Sequence, residues 1–169
     1  MGENIPAVIQ ISGDTRVALH EAVARAAMIA PMSKIISYDV KVLFGDCDPA
    51  GIVFFPNFLK WMDASSLNFF MQCGLPPWRA WTAPANMIGT PLIEIRTQFH
   101  KPATYGETLT VHTEVSEFSR KTFTHRHVVR RGETLICEGT EVRAFCTRDP
   151  ESGIVKAIPV PDIVIERCS

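Results

Sequence analysis

Hydrophobic and polar residues alternate with a period of two along most of the chain after Leu92. This alternation is typical of β-strands that bury one face. It predicts four strands, over residues 92–100, 108–115, 122–130 and 134–146, with turns at Tyr105-Gly106-Glu107 and Arg131-Gly132-Glu133 and a bulge at Gly139. The four strands together predict an antiparallel meander.

A further strand and a long helix are predicted before the meander. Residues 35–44 alternate as a strand does, and from Phe58 to Cys73 the apolar residues recur mostly at steps of three and four, as on the buried face of a helix. Asn57 is a predicted N-cap, and Gly74 suits the left-handed residue that ends many helices. The small residues 64–66 would let a sheet approach the helix closely.

The order of strand, helix and antiparallel strands predicts an α+β fold in which the one long helix covers one face of the sheet. Nothing in the chain alternates as βαβ units do, which excludes a Rossmann fold. Residues 74–91 contain four prolines and predict a loop in which Trp78 and Trp81 are exposed. A short helix is predicted to begin at Pro161-Asp162.

Residues 1–33 differ in character from the rest. They are interpreted as an N-terminal extension, helical or disordered, and residues 34–169 as the main domain. Three acidic residues within 1–33 argue against a transit peptide, and the chain has no apolar run of membrane-spanning length. Met32 is a possible second start, so the extension is hypothesised to be dispensable.

Composition narrows the classes of protein. The 169 residues are 46% hydrophobic with a formal net charge of −1, which gives no indication of nucleic-acid or membrane binding. The five cysteines are odd in number and show no C-x-x-C spacing, so neither disulfides nor a zinc ribbon is expected. A reducing, cytoplasmic location is predicted.

The candidate chemistry lies in the turn between the first strand and the helix. The sequence has no G-x-S-x-G, H-E-x-x-H, Walker or G-x-G-x-x-G motif, which leaves the carboxylates of Asp46 and Asp48. Near a helix N-terminus, a carboxylate is held ionised and free N–H groups can polarise a carbonyl oxygen. From the spacing alone, a merely polar turn is an open alternative.

The segment Phe44-Gly45-Asp46-Cys47-Asp48-Pro49-Ala50-Gly51-Ile52-Val53 resembles the 4-hydroxybenzoyl-CoA thioesterases of the hotdog-fold superfamily. The resemblance extends over about residues 35–169 and includes Cys73-Gly74-Leu75-Pro76-Pro77-Trp78-Arg79, Gly89-Thr90-Pro91 and Glu141-Val142-Arg143-Ala144-Phe145. It implies an antiparallel sheet of five to six strands wrapped around one long helix. It also implies a homotetramer built as a dimer of dimers, with active sites at the subunit interface.

The resemblance assigns catalytic roles to two residues. Asp48 matches the catalytic carboxylate, as nucleophile or as base for water, and the backbone N–H of Phe55 matches the donor that polarises the thioester carbonyl. No cofactor is implied. Asp63 matches a residue that meets the 4-hydroxyl of the benzoyl ring, and Thr90 one that lines the acyl site. A subunit contact for Asp63 and a loop cap for Thr90 are the alternatives.

The resemblance also suggests how CoA is held. Arg120 and Lys121, with Arg143 as a weaker candidate, match phosphate-binding positions, although they could equally be solvated basic side chains. Family members carry Trp and Tyr at the positions of Phe54 and Phe55, and an Arg at Ser119, so the aryl pocket and nucleotide affinity are expected to differ here.

Two other groups of residues are candidates for a metal site or a nucleophile. His125 and His127 are two apart on one strand face, but no third metal ligand is evident in the sequence, so no metal is predicted. Cys47 adjoins Asp48 but has no evident basic partner, which argues against a cysteine nucleophile.

The predicted function is hydrolysis of 4-hydroxybenzoyl-CoA or a close aromatic acyl-CoA. The alternatives are a hotdog thioesterase for short aliphatic acyl-CoA or carrier-protein thioesters, and a non-catalytic module that binds acyl-CoA.

Overall fold

A computed structural model describes residues 34–80 and 87–169. Its elements, in chain order, are β1 (Ile36–Lys41), a 3₁₀ turn (Phe44–Asp46), α1 (Pro56–Gln72), a second 3₁₀ turn (Trp78–Ala80), β2 (Met87–Gly89), β3 (Leu92–Phe99), β4 (Thr108–Phe118), β5 (Thr122–Arg131), β6 (Thr134–Ala144), β7 (Cys146–Arg148), β8 (Val155–Ala157) and α2 (Asp162–Cys168). Five strands form one antiparallel sheet in the order β1-β4-β5-β6-β3, and three short strands form a second sheet in the order β2-β7-β8. The predicted α+β class is confirmed.

The four predicted strands are present, but their meander covers only β4, β5 and β6. Strand β3 pairs with β6 instead of β4, so residues 100–107 pass from one edge strand to the interior of the sheet. The connection is longer than a hairpin loop and is bonded to the segments that follow β1. Its Ala103 carbonyl accepts from the Val53 N–H, and its Glu107 carbonyl accepts from the Val42 N–H. These bonds tie it to the turn that leads into α1.

Helix α1 buries a stripe of residues at three- and four-residue spacing: Phe58, Trp61, Met62, Ser65, Ser66, Phe69 and Phe70. One apolar cluster surrounds Trp61 and Met62, and a second surrounds Phe69 and Phe70. Ser65 and Ser66 lie on the same stripe between the two aromatic groups and face the sheet, hydrogen-bonding to Thr113 and Glu141. The predicted close approach of sheet and helix is therefore confirmed.

The bulge predicted at Gly139 is wrong. The register runs regularly through this residue, which pairs with Thr97 on one side and His127 on the other. A Cβ at Gly139 would lie 2.7 Å from the Arg96 carbonyl oxygen and 3.3 Å from the Met62 sulfur. Gly139 is therefore required by close packing rather than by an irregular strand.

The start of α1 also differs from the prediction. The helix begins at Pro56, with Phe55 as N-cap and no side-chain capping bond, so Asn57 is not the cap. The Asn57 side-chain amide instead donates to the Asp46 carbonyl at 2.8 Å. At the other end the prediction is confirmed, because Gly74 has φ +78°.

The loop predicted over residues 74–91 contains a 3₁₀ turn and strand β2. Trp78 is half-buried, with its ring 5.0 Å from Phe70 and 6.1 Å from Phe145, so its predicted exposure is wrong. Trp81 and residues 1–33 lie outside the described residues.

The short C-terminal helix is confirmed as α2. None of the helices in the described segments is both long and apolar enough to cross a membrane.

Candidate active site

The Asp48 turn is a tightly bonded loop between β1 and α1. The Asp48 N–H donates to the Ile52 carbonyl at 2.9 Å, and the Gly51 N–H donates back to the Asp48 carbonyl at 2.9 Å. Gly51 has φ +77°, which glycine adopts without strain. One carboxylate oxygen of Asp48, Oδ1, accepts from the Ala50 N–H at 2.8 Å. The other oxygen accepts no hydrogen bond from the described residues, so a fixed, half-buried carboxylate presents one open oxygen.

Asp46, two residues earlier, has a different role. Its Oδ2 accepts from the Leu43 N–H at 2.8 Å, and its carbonyl accepts from the Phe54 N–H at 2.9 Å and from the Asn57 amide. These bonds join the 3₁₀ turn to the start of α1. The Asp46 and Asp48 carboxylates each accept one backbone N–H, so the hydrogen bonds that set Asp46 apart are those of its carbonyl, which tie the turn to α1.

The N–H of Phe55 lies at the N-terminus of α1, where backbone donors lack partners within the helix. Pro56 has no N–H, and the next two donors are satisfied, since Asn57 donates to Phe54 and Phe58 donates to Phe55. The Phe55 N–H donates to no acceptor among the described residues. It is a free donor at the positive end of the helix dipole, as an oxyanion-binding group requires.

An apolar cavity of about 420 Å³ adjoins this donor. It is lined by Ile52, Val53, Phe55, Phe58, Phe99, His100, Lys101, Pro102 and Ala103. The lining comes from the Asp48 turn, the start of α1 and the end of β3. The open oxygen of Asp48, the Phe55 N–H and an apolar cavity therefore all belong to one part of the fold.

Asp63, Thr90 and Arg143 line a second cavity of about 300 Å³. The Arg143 guanidinium donates from Nη2 to Asp63 Oδ1 at 2.5 Å, from Nη1 to the Thr90 carbonyl at 3.1 Å and from Nε to Glu141 Oε2 at 2.7 Å. Arg143 is only 8% exposed, whereas Asp63 is 66% exposed. Thr90 therefore contributes a main-chain carbonyl to this group, and Arg143 serves three protein acceptors.

Glu141 lies behind Arg143, completely buried between the sheet and α1. Burial would raise the pKa of its carboxyl, but hydrogen bonds and charges from His127 and Arg143 outweigh this and lower the pKa to about 2. The Ser66 hydroxyl also donates to Glu141, at 2.9 Å. Glu141 is thus an ionised carboxylate held from both the helix and the sheet.

His125 and His127 complete this buried polar network. His125 Nδ1 lies 3.0 Å from the Ser66 hydroxyl, and His127 Nδ1 lies 2.9 Å from the Thr113 hydroxyl. Burial of the imidazole is the main cause, and the neighbouring His127 the second, of a His125 pKa that lies well below its usual value. Because Ser66 has one proton and donates it to Glu141, His125 carries its proton on Nδ1.

The structure also supplies the third metal-ligand type that the sequence did not reveal. Donor atoms of His125, His127 and Glu141 lie within 4.8 Å of one another, all buried. The Glu141 carboxylate, however, is already neutralised by the Arg143 guanidinium at 2.7 Å, which opposes a second cation. The arrangement is that of a hydrogen-bond network.

Arg120 and Lys121 lie in the exposed turn between β4 and β5. Their carbonyls accept from the Val160 and Phe145 N–H groups, which fixes the turn, while their cationic groups have no acceptor among the described residues. Ser119 beside them donates to Glu117. Cys47 is half-buried and forms a β-bridge with Val53, without a basic partner in the structure described.

The predicted site residues thus occupy three separate places: Asp48 with Phe55, Asp63 with Thr90 and Arg143, and Arg120 with Lys121. The cavity beside Phe55 is not lined by Asp63, and the cavity beside Asp63 is not lined by Phe55. Sequence reasoning missed Glu141 and Ser66 as members of the second group. The signal was present as polar residues on the buried side of adjacent strands, since Thr113 pairs with His127 and His125 with Glu141.

Comparison with known proteins then decides the family. The model of the thioesterase-like superfamily matches residues 42–167. The chain belongs to this superfamily. The match includes the Asp48 turn, α1 and the whole five-stranded sheet apart from β1.

Individual proteins that the chain matches are also thioesterases. A 4-hydroxybenzoyl-CoA thioesterase from Pseudomonas sp. (strain CBS-3) is 42% identical in an alignment of 143 residues that covers 82% of this chain and 100% of the relative. A crystal structure of a 4-hydroxybenzoyl-CoA thioesterase variant in complex with 4-hydroxybenzoyl-CoA matches with a TM-score of 0.75 and 39% identity, over 81% of this chain and 100% of that one. A gentisyl-coenzyme A thioesterase matches with a TM-score of 0.68 and 29% identity, over 79% and 100%. The hotdog fold is therefore established for this chain, and the relatives that it matches are thioesterases.

Proposed function

We propose that the protein hydrolyses 4-hydroxybenzoyl-CoA, or a close aromatic acyl-CoA, to the free acid and CoA. The observation that carries the proposal is that the turn leading into α1 holds both an Asp48 oxygen without a donor and a Phe55 N–H without an acceptor, in a chain 42% identical to a 4-hydroxybenzoyl-CoA thioesterase. A carboxylate and one N–H donor are the groups that attack on a thioester carbonyl needs.

In the proposed reaction the Phe55 N–H donates to the thioester oxygen and polarises the carbonyl. The Asp48 carboxylate attacks the carbonyl carbon, or removes a proton from the water that does so. The carbon–sulfur bond then breaks, and CoA leaves as the thiolate and takes up a proton. Where Asp48 attacks directly, this leaves a mixed anhydride of the acyl group and Asp48, which water hydrolyses to the free acid and the Asp48 carboxylate. Both routes add one water to the thioester and require no cofactor.

We propose that Asp63 recognises the acyl group. Its Oδ1 accepts from Arg143, and its Oδ2 has no donor among the described residues. A carboxylate oxygen of this kind accepts a hydrogen bond from a phenolic hydroxyl. Thr90 lines the same cavity. Arg120 and Lys121 are proposed to bind the CoA phosphates, since both are exposed cations on a fixed turn.

Oligomerisation is part of the proposal. The cavity beside Phe55 and the cavity beside Asp63 share no lining residue, which supports a site that draws on two subunits. The edge strand β3 exposes Leu92, Ile93 and Phe99 at 45%, 60% and 47%. Paired edges would cover this strand and remove an aggregation hazard. We propose a dimer of dimers, in the cytoplasm, where the five cysteines stay reduced as free thiols.

A substrate panel tests the proposal. Release of CoA should be measured from 4-hydroxybenzoyl-CoA, benzoyl-CoA and a short aliphatic acyl-CoA under the same conditions. The proposal expects the highest kcat/KM for the hydroxylated aryl thioester. A preference for the aliphatic substrate would overturn the acyl assignment, and inactivity on every thioester would indicate a binding module instead.

A further inference from the structure

A chain of hydrogen bonds through Arg143 connects α1 with β6 across the helix–sheet interface. Asp63 and Ser66 are three residues apart on α1, and Glu141 and Arg143 are two apart on β6. Ser66 donates to Glu141, Glu141 accepts from Arg143, and Arg143 donates to Asp63. Asp63, Ser66 and Arg143 line the cavity of about 300 Å³, and the buried Glu141 lies behind them.

Arg143 is placed to fix geometry rather than to bind phosphate. Its side chain is 8% exposed, and each of its three nitrogens donates to a protein acceptor. CoA phosphates are strongly hydrated and are met by exposed cations, of which Arg120 and Lys121 are examples. A planar guanidinium with several fixed acceptors holds those acceptors at set angles to one another.

The two outer nitrogens of Arg143 reach different walls of the cavity of about 300 Å³. Nη2 holds the Asp63 carboxylate on α1, and Nη1 holds the Thr90 carbonyl between β2 and β3. An exposed carboxylate on a helix surface would otherwise rotate freely, and an ordinary surface ion pair would restrain it little. Here the cation is itself fixed from behind by the buried Glu141.

We propose that Arg143, anchored by Glu141, is a positioning residue that sets the preference for aryl thioesters carrying a hydroxyl group. It occupies Oδ1 of Asp63 and so directs Oδ2 toward the cavity, where the substrate hydroxyl donates. The inference rests on the proposed function, because it assigns the origin of specificity within that site. Arg143 touches neither the reacting carbonyl nor CoA in this account.

The test compares Arg143→Lys with the wild type on 4-hydroxybenzoyl-CoA and benzoyl-CoA. Lysine keeps a positive charge beside Glu141 but loses the planar fork, so the fold is retained. The ratio of the two kcat/KM values should fall by about tenfold or more, through the hydroxylated substrate, with inhibition by CoA unchanged. In an Asp63→Ala background, Arg143→Lys should leave the ratio where Asp63→Ala alone puts it.

Other outcomes overturn the inference in distinguishable ways. An equal rise in KM for both substrates, with weaker inhibition by CoA, would make Arg143 a phosphate ligand. Equal losses of kcat/KM on both substrates with CoA inhibition intact would make its role structural only. The double variant Arg143→Gln/Glu141→Gln removes both charges and should lower the ratio likewise. A wild-type enzyme without preference for the hydroxyl would instead contradict the acyl assignment of the proposed function.

Discussion

At the scale of single residues, the buried Glu141 carboxylate illustrates how a charge can be kept in a core. It accepts from Ser66 and Arg143, with His127 3.4 Å away, and it is fully buried. Such a network contributes specificity of arrangement more than net stability, because desolvation offsets much of the attraction. Removal of one partner is nevertheless costly, since the other charge is left unpaired.

Glu141→Ala is therefore expected to destabilise the fold strongly, by about 3–5 kcal/mol in the free energy of unfolding. The cause is the Arg143 guanidinium, which would lose its buried carboxylate and keep only the exposed Asp63 as an ion-pair partner. Urea unfolding followed by circular dichroism measures the effect. Glu138→Ala on the same strand is the control, because Glu138 is 35% exposed and its ion pairs lie at the surface. Equal losses in the two variants would contradict this account of Glu141.

Stability should also depend on pH through the same buried groups. The pKa of His125 lies well below 6.5 in the folded chain because burial disfavours its charged form. As pH falls, His125 is therefore protonated in the unfolded chain at a higher pH than in the folded chain. The pKa of Glu141 is lowered from 4.5 to about 2, and the unfolded chain again binds the proton first. Both groups stabilise the fold at neutral pH. The His125 contribution is lost below about pH 6.5, and that of Glu141 is lost between about pH 4.5 and 2.

His125→Phe isolates the first of these contributions. The phenyl ring suits the aromatic surroundings of His125, which include Phe69, Phe70 and Phe123, and it does not titrate. The urea midpoint of the wild type should fall more steeply than that of His125→Phe between pH 7 and pH 5. Parallel pH profiles would show that His125 does not contribute to the pH dependence.

At the scale of the elements, the packing of α1 on the sheet depends on small residues at the contact. Gly139 on β6 lies against the Arg96 carbonyl and Met62. Gly139→Ala should destabilise by about 1–3 kcal/mol, because its Cβ would overlap a backbone oxygen that cannot move independently of β3. Gly45→Ala is the matched control, since a Cβ there meets nothing within 4 Å and its φ is not positive. Thermal unfolding of both variants tests this, and an unaffected Gly139→Ala would contradict it.

Periodicity predicted the long elements well and their partners less well. The helix and the four long strands follow from local patterns of burial, which a sequence displays directly. The placement of β3 beside β6 depends on residues 100–107, whose bonds to Val42 and Val53 are distant in sequence. The prediction of Asn57 as the cap is wrong because the helix begins one residue earlier, at Pro56, and the Asn57 amide donates to the Asp46 carbonyl.

The candidate site, too, could be predicted where its residues are contiguous in sequence and not where they come from several elements. The Asp48 turn was found from a contiguous motif, whereas Glu141 was missed as a partner because its group draws residues from α1, β5 and β6. Two carboxylates in one turn look equivalent in sequence. In the structure each carboxylate accepts one backbone N–H, from Leu43 for Asp46 and from Ala50 for Asp48. The difference lies in the Asp46 carbonyl, which accepts from Phe54 and Asn57.

At the scale of the whole molecule, activity should depend on assembly through the β3 edge. Ile93 is 60% exposed on this edge, and Ile93→Glu should dissociate the oligomer and abolish turnover while the subunit stays folded. Sedimentation velocity and the CoA-release assay measure the two effects. Ile154→Glu is the control, because Ile154 is similarly exposed, at 56%, in the turn between β7 and β8. A fully active Ile93→Glu monomer would contradict a site shared between subunits.

The role of residues 1–33 is also tested at this scale. A chain that begins at Met32 should retain full activity, because every residue assigned to the site lies after it in the sequence. The wild-type chain and the shortened chain should be compared for kcat/KM and for thermal unfolding. Loss of folding in the shortened chain would contradict the interpretation of this segment as a dispensable extension.

Single-turnover hydrolysis of 4-hydroxybenzoyl-CoA by Asp48→Asn, beside Asp46→Asn, shows whether Asp48 performs the chemistry. We expect Asp48→Asn to fold normally and to lose hydrolysis by a factor of about 10³ or more, because an amide neither attacks the thioester nor accepts a proton from water. Asp46→Asn should be less stable but retain most of its rate. If Asp48→Asn hydrolysed the thioester at the wild-type rate, Asp48 would be neither the nucleophile nor the base.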